Sequence, residues 1–165
     1  MKPQSIRTFG AACLLLTGSF LFTSCKKGVD GGKNKDNSIS AVLKNHPELS
    51  SLATALQRTG LDTILAQKGR NYTIFAPNND AFSAAGISAA KISSMDINQL
   101  NRLVKYHVLE KQMSALEFPM PSDTVKSMAD TLNLFMSRNP NGTFVNGEMV
   151  VSTDIHADNG SIHVI

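Results

Sequence analysis

Cysteine is nearly missing from this chain. Only Cys13 and Cys25 are cysteines among its 165 residues. A disulfide framework, a thiolate metal site and a cysteine nucleophile are therefore excluded beyond residue 25. Tryptophan is absent, and tyrosine occurs only as Tyr72 and Tyr106, so the flat aromatic platforms that stack on sugars are scarce. No Gly-x-Ser-x-Gly, His-Glu-x-x-His or P-loop pattern occurs, and no catalytic set emerges. The longest apolar stretch, Phe9 to Phe22, falls short of the roughly 20 residues that span a bilayer.

That short stretch has its own meaning. Lys2 and Arg7 precede it, and Phe22-Thr23-Ser24-Cys25 closes it. A positive start, an apolar middle and small residues at the end are the layout of a secretory signal peptide, here residues 1–24. A cysteine directly after small residues resembles a bacterial lipobox, in which that cysteine is lipidated and becomes the new N-terminus. Cys25 is thus the expected lipid anchor, and several acyl chains on one residue hold a protein stably on a membrane.

Charge divides the chain near the same place. Residues 1–37 carry six Lys/Arg against two Asp, a balance of +4, whereas residues 38–165 carry ten basic and eleven acidic residues, a balance of −1. The surplus of positive charge belongs to the first 37 residues alone. No clustered basic face is left to bind nucleic acid. From Lys26 to Asn37 the chain has three Gly, many charges and one apolar side chain, too little to bury for a fold. Residues 25–37 read as a lipidated cysteine and a flexible tether, and residues 38–165 as one domain of ordinary size.

The first half of that domain is helical in pattern. A short helix over 39–45 ends at His46-Pro47. Leu49, Leu52, Ala53 and Leu56 share one face, with Gly60 placed as a C-cap. Tyr72 to Ala76 is β-branched and aromatic, a strand stopped by Pro77. Asn78 or Asn79 can cap a short helix carrying Phe82. Asp96 starts the clearest amphipathic helix, whose stripe is Ile97, Leu100, Leu103, Val104 and His107.

The second half alternates. Leu132, Leu134 and Met136 interleave with Asn133, Phe135 and Ser137, and Asn-Gly recurs at 141–142, 146–147 and 159–160. Each pair is a preferred centre of a type I′ hairpin turn, giving a meander with strands at 144–145, 149–155 and 162–165. Phe118-Pro119-Met120-Pro121 and the residues up to 125 read as an irregular, Pro-rich loop. Helices first and antiparallel strands later argue an α+β fold.

Three segments, in order, carry a family resemblance. These are SSLATALQRTGLDTILAQKGRNYTIFAPNNDAF (50–82), LNRLVKYHVL (100–109) and VNGEMVVSTDIHADNGSIHVI (145–165). Together they resemble the fasciclin domain family, and more narrowly a bacterial fasciclin-like lipoprotein. The resemblance implies a β-sandwich of about seven strands flanked by several short helices. It also implies a last strand that normally runs on past Ile-His-Val-Ile, so a C-terminally truncated domain is expected here.

Adhesion or another protein–protein interaction is the function implied, with a glycan-binding accessory of a polysaccharide uptake system as the alternative. Tyr106 and His107 match the Tyr-His segment linked to integrin-dependent adhesion in animal members. On a bacterial envelope, His107 reads instead as a hydrogen-bonded residue on the apolar helix face. His156 and His163, with Asp154 and Asp158, have no recognised metal-ligand spacing, and no cofactor is implied. Asp-Thr-aliphatic recurs around Thr63, Thr124 and Thr131 and resembles an O-glycosylation acceptor pattern of some Bacteroidota. The expected partners are the membrane, through lipid on Cys25, an unknown envelope or extracellular protein and, on the alternative reading, a glycan. The expected location is the cell envelope, as an outer-membrane lipoprotein facing the periplasm or the cell surface.

Overall fold

The computed structural model describes residues 36–165. The expected signal peptide, Cys25 and most of the expected tether lie outside the described residues. Asp36 and Asn37 are held against the domain: Asn37 Nδ2 donates to Asp158 Oδ1 (3.2 Å), and the Asp158 N–H donates to the Asn37 carbonyl (2.9 Å).

Six α-helices form among the described residues, four of them started by a side-chain N-cap. Helix α1 (Ile39–Lys44) starts at Ser38, whose hydroxyl accepts from the Ala41 N–H. Helix α2 (Ser50–Thr59) buries Leu52, Ala55 and Leu56 and ends at Gly60, which has φ +72°. Helix α3 (Leu61–Ile64) begins at once. Helix α4 (Asn79–Ala84) is capped by Asn78. The neighbouring Asn79 instead accepts the Ser51 N–H at 3.0 Å, tying α4 to the start of α2. Helix α5 (Ala89–Ser94) has Ser88 as its cap. In α6 (Ile97–Tyr106), Asp96 accepts from the N–H groups of Asn98 and Gln99, and Leu100 and Val104 point inward.

Among the described residues eight strands make two four-stranded sheets, so the fold is α+β with one strand more than expected. Strands β1 (Tyr72–Ala76), β2 (Val108–Leu109), β7 (Ser152–Ala157) and β8 (Gly160–Val164) form one sheet in the order β2-β1-β8-β7. Strands β3 (Ser122–Lys126), β4 (Asn133–Asn139), β5 (Gly142–Val145) and β6 (Glu148–Met149) form the other, in sequence order. The simple meander holds only for β3 to β6. Strand β8 leaves it and pairs in parallel with β1, from Tyr72 opposite Gly160 to Ala76 opposite Val164. Both strands are buried along their whole length, as central strands covered on two faces are.

Two cores result. Sheet β2-β1-β8-β7 packs under the helices around Ile39, Leu52, Leu56, Ile74, Leu100 and Ile162. Its other side meets the second sheet through Phe75, Leu109, Phe118, Leu134, Met136 and Val145.

The three Asn-Gly pairs do three different things. Only Asn146-Gly147 is the turn expected, with φ of +53° and +91° between Val145 and its partner Glu148. The β4–β5 turn is Pro140-Asn141, because Asn139 pairs with Gly142. The β7–β8 turn is Asp158-Asn159, because Ala157 pairs with Gly160. At Gly160 the glycine answers to space: a Cβ there would lie 1.9 Å from the Tyr72 carbonyl oxygen.

Candidate interaction site

The exposed long edge of the second sheet is β3. The segment read as a Pro-rich loop supplies it, so Thr124 sits on a strand and not in a loop. Prolines Pro119 and Pro121 stop just before the first ladder residue, which leaves Ser122–Lys126 free to pair with β4. Only Val125 turns toward the second core; the other four residues are exposed. Among the described residues no strand pairs with the outer side of β3.

Hydrogen bonding shows which backbone groups face outward. Thr124 stands opposite Phe135. Phe135 spends both its backbone groups on Asn146: its N–H donates to Oδ1 (2.9 Å), and its carbonyl accepts the Asn146 N–H (2.7 Å). Opposed residues of an antiparallel pair exchange both bonds or neither. The N–H and carbonyl of Thr124 therefore point away from β4, into the open edge. The Asp123 carboxylate covers that N–H, accepting it at 2.7 Å.

A groove of about 460 Å³ runs beside this edge, walled by Glu110 and Lys111 after β2 and by Asp123 to Met128. A second hollow of about 390 Å³ continues from Met128 and Asp130 to Asn101, Arg102 and Lys105 on α6. The edges of both sheets and one helix thus meet in a single trench.

Tyr106 and His107 lie elsewhere and are occupied. The Tyr106 hydroxyl accepts from Asn146 Nδ2 (2.9 Å) and donates to the Asn133 carbonyl (3.4 Å), pinning the end of α6 to the second sheet. His107 is half-buried as the C-cap of α6, and its Nδ1–H donates to the Leu103 carbonyl (2.8 Å). Burial holds its imidazole below the ordinary histidine range, against the pull of that carbonyl. It also lines a small apolar hollow of about 210 Å³ with Pro77, Phe82 and Ile165.

His163 is fully buried. Its Nε2–H donates to the Met113 carbonyl (2.9 Å) and its Nδ1 accepts the Asp154 N–H (3.2 Å). The ring stacks on Phe75 and meets Phe118 edge-on. Both nitrogens are thereby committed to the main chain. Asp154 has φ +58° at a bulge in β7, so the even alternation that would put it on one face with His156 is broken there. Its carboxylate accepts the Ala115 N–H at 3.0 Å. Among the described residues no three His, Cys, Asp or Glu side chains gather as a metal site.

The three threonines differ. Thr63 donates its hydroxyl to the Gly60 carbonyl (2.7 Å) in α3, and Thr131 donates to Ala129 (3.4 Å) in a turn. The Thr124 side chain is exposed on β3.

The fasciclin domain family model matches residues 47–165. This chain belongs to the fasciclin domain family. It is 32% identical over 129 residues to Protein sll1483 of Synechocystis sp., spanning 77% of this chain and 69% of that protein. It is 25% identical over 130 residues to the cell surface glycolipoprotein MPB83 of Mycobacterium bovis, spanning 77% of this chain and 57% of that one. A solved FAS1 domain pair from the insect cell adhesion molecule Fasciclin I matches with a TM-score of 0.63 at 15% identity, over 78% of this chain and 49% of that one. That likeness shows the fold. The chain spans about half the length of the solved domain pair, one fasciclin domain's worth. Missed in the sequence were β3 and its trench, because neither apolar alternation nor a turn signal marks Ser122–Lys126.

Proposed function

We propose that this fasciclin domain is displayed on the cell envelope by lipid on Cys25 and acts by binding a protein partner, not by catalysis. One observation carries the reading: the outward N–H and carbonyl of Thr124 on an exposed edge strand. Outward backbone groups at a sheet edge are a template for an added strand from another chain once the Asp123 carboxylate gives up the Thr124 N–H. The relatives support the setting, since one of them is a cell surface glycolipoprotein. Among the described residues no helix is long and apolar enough to cross a membrane. The committed nitrogens of His163 leave no free base at the one fully buried histidine.

The test is a photo-crosslinker placed at Ser122 in the full chain, expressed in its native envelope. A single captured protein is expected, and it is lost in Thr124→Pro, which removes the outward N–H with its bond to Asp123 and leaves the pairing with β4 in place. Equal capture by the proline variant overturns the reading. A second reading, glycan binding, draws on the outer face of the second sheet, where Phe135 is 47% exposed and Met149 stands 53% exposed opposite Phe144. A glycan array in which a Phe135→Ala variant keeps every signal removes it.

A further inference from the structure

We infer that the trench beside β3 takes an extended peptide segment bearing acidic side chains at its α6 end. This deepens the edge-strand reading and rests on it. The trench has two halves of different character. Along β3 the charges are mixed, with Lys111 and Lys126 facing Glu110 and Asp123. Lys126 is matched to Asp130 at 3.8 Å, an exposed i,i+4 pair. Beyond Met128, Arg102 and Lys105 line the second hollow together with Asp130; that carboxylate is paired with Lys126, and among the described residues neither Arg102 nor Lys105 has an acidic partner within 4.0 Å. A carboxylate on a strand laid along β3 and past Met128 would meet both cations. The chain's own tether is a poorer occupant, because residues 26–37 carry four Lys against two Asp.

Binding requires one local exchange. The incoming strand's carbonyl must replace the Asp123 carboxylate on the Thr124 N–H, so Asp123 acts as a guard on the edge.

The experiment uses the full chain in detergent and three fluorescent ten-residue peptides of alternating Val and Thr. One ends in two Glu at either terminus, one in two Lys, and one in two Gln. The Glu peptide should bind roughly fivefold tighter than the Gln peptide, about the size of two exposed ion pairs. Arg102→Glu with Lys105→Glu should reverse the preference toward Lys, and Asp123→Ala should tighten all three. Binding of all three peptides at one affinity, unchanged by the charge reversal but lost in Thr124→Pro, overturns the acidic preference and leaves the edge intact. Binding that survives Thr124→Pro, or no binding by any peptide, overturns both.

Discussion

Asn159 Oδ1 accepts the Ile39 N–H at 2.8 Å across 120 residues of sequence, at a side chain only 4% exposed. The same amide donates from Nδ2 to the carbonyls of Leu65 (2.8 Å) and Gln67 (3.2 Å), and the Asn159 carbonyl accepts the Tyr72 N–H (3.0 Å). One turn residue therefore closes the start of α1, the end of the α3 segment and the start of β1. Asn159→Ala leaves the Ile39 N–H and the Leu65 carbonyl buried and unpaired. A loss of about 3 kcal/mol is expected, given roughly 1–3 kcal/mol for each orphaned buried group. Thermal unfolding followed by circular dichroism measures it; a change under about 1 kcal/mol would show the clamp to be redundant.

Gly160 and Gly147 give a controlled pair. Both have positive φ, but only Gly160 is crowded, with the Tyr72 carbonyl 1.9 Å from where a Cβ would lie; at Gly147 nothing is within 4 Å. Gly147→Ala should cost about 1 kcal/mol of backbone strain. Gly160→Ala must push β8 from β1 and should cost more than about 3 kcal/mol or prevent folding. Denaturant unfolding of the two variants side by side decides it, and equal losses would refute the crowding.

Acid should loosen the domain before its carboxylates titrate. Burial lowers the affinity of His163 for a proton from its ordinary 6.5, while the Met113 carbonyl and the Asp154 charge oppose that shift; burial lowers His107 too. Folding thus favours the neutral rings. Their contribution is complete above about pH 6.5 and declines as pH falls below it toward the folded values. Asp36, Glu48 and Glu117 are also lowered, from ordinary values of 3.8 to 4.5, through hydrogen bonds at Ser38, His46 and Ser114, so their stabilisation is lost only at lower pH. Urea midpoints should drop between about pH 7 and 5. His163→Gln, which can still donate to Met113, should show a shallower drop; an unchanged slope assigns the effect elsewhere.

Labelled palmitate should enter the wild-type chain in its host and fail to enter Cys25→Ala. Label in both, or in neither, defeats the anchor.

Local chemistry made much of the fold legible. Ser38, Asn78 and Asp96 cap helices because a short polar side chain can reach the free N–H groups of a first turn. Gly60 ends α2 and Asn146-Gly147 makes its turn because those backbone angles are set within a few residues. The fasciclin segments were legible for the same reason: they are runs of such local signals in a fixed order.

What the sequence could not show depends on partners far away along the chain. That β8 lies parallel to β1 comes from packing two fully buried strands beneath the helices, a pairing across nearly ninety residues that no local pattern encodes. DNGSIHVI reads locally as a hairpin on Asn159-Gly160. The tertiary structure makes Asn159 a clamp and Gly160 a point of contact, because Ile39 and Tyr72 arrive there from the other end of the domain. The open edge of β3 is likewise a property of the assembled sheet, since only the placement of β4 on one side defines the other as free.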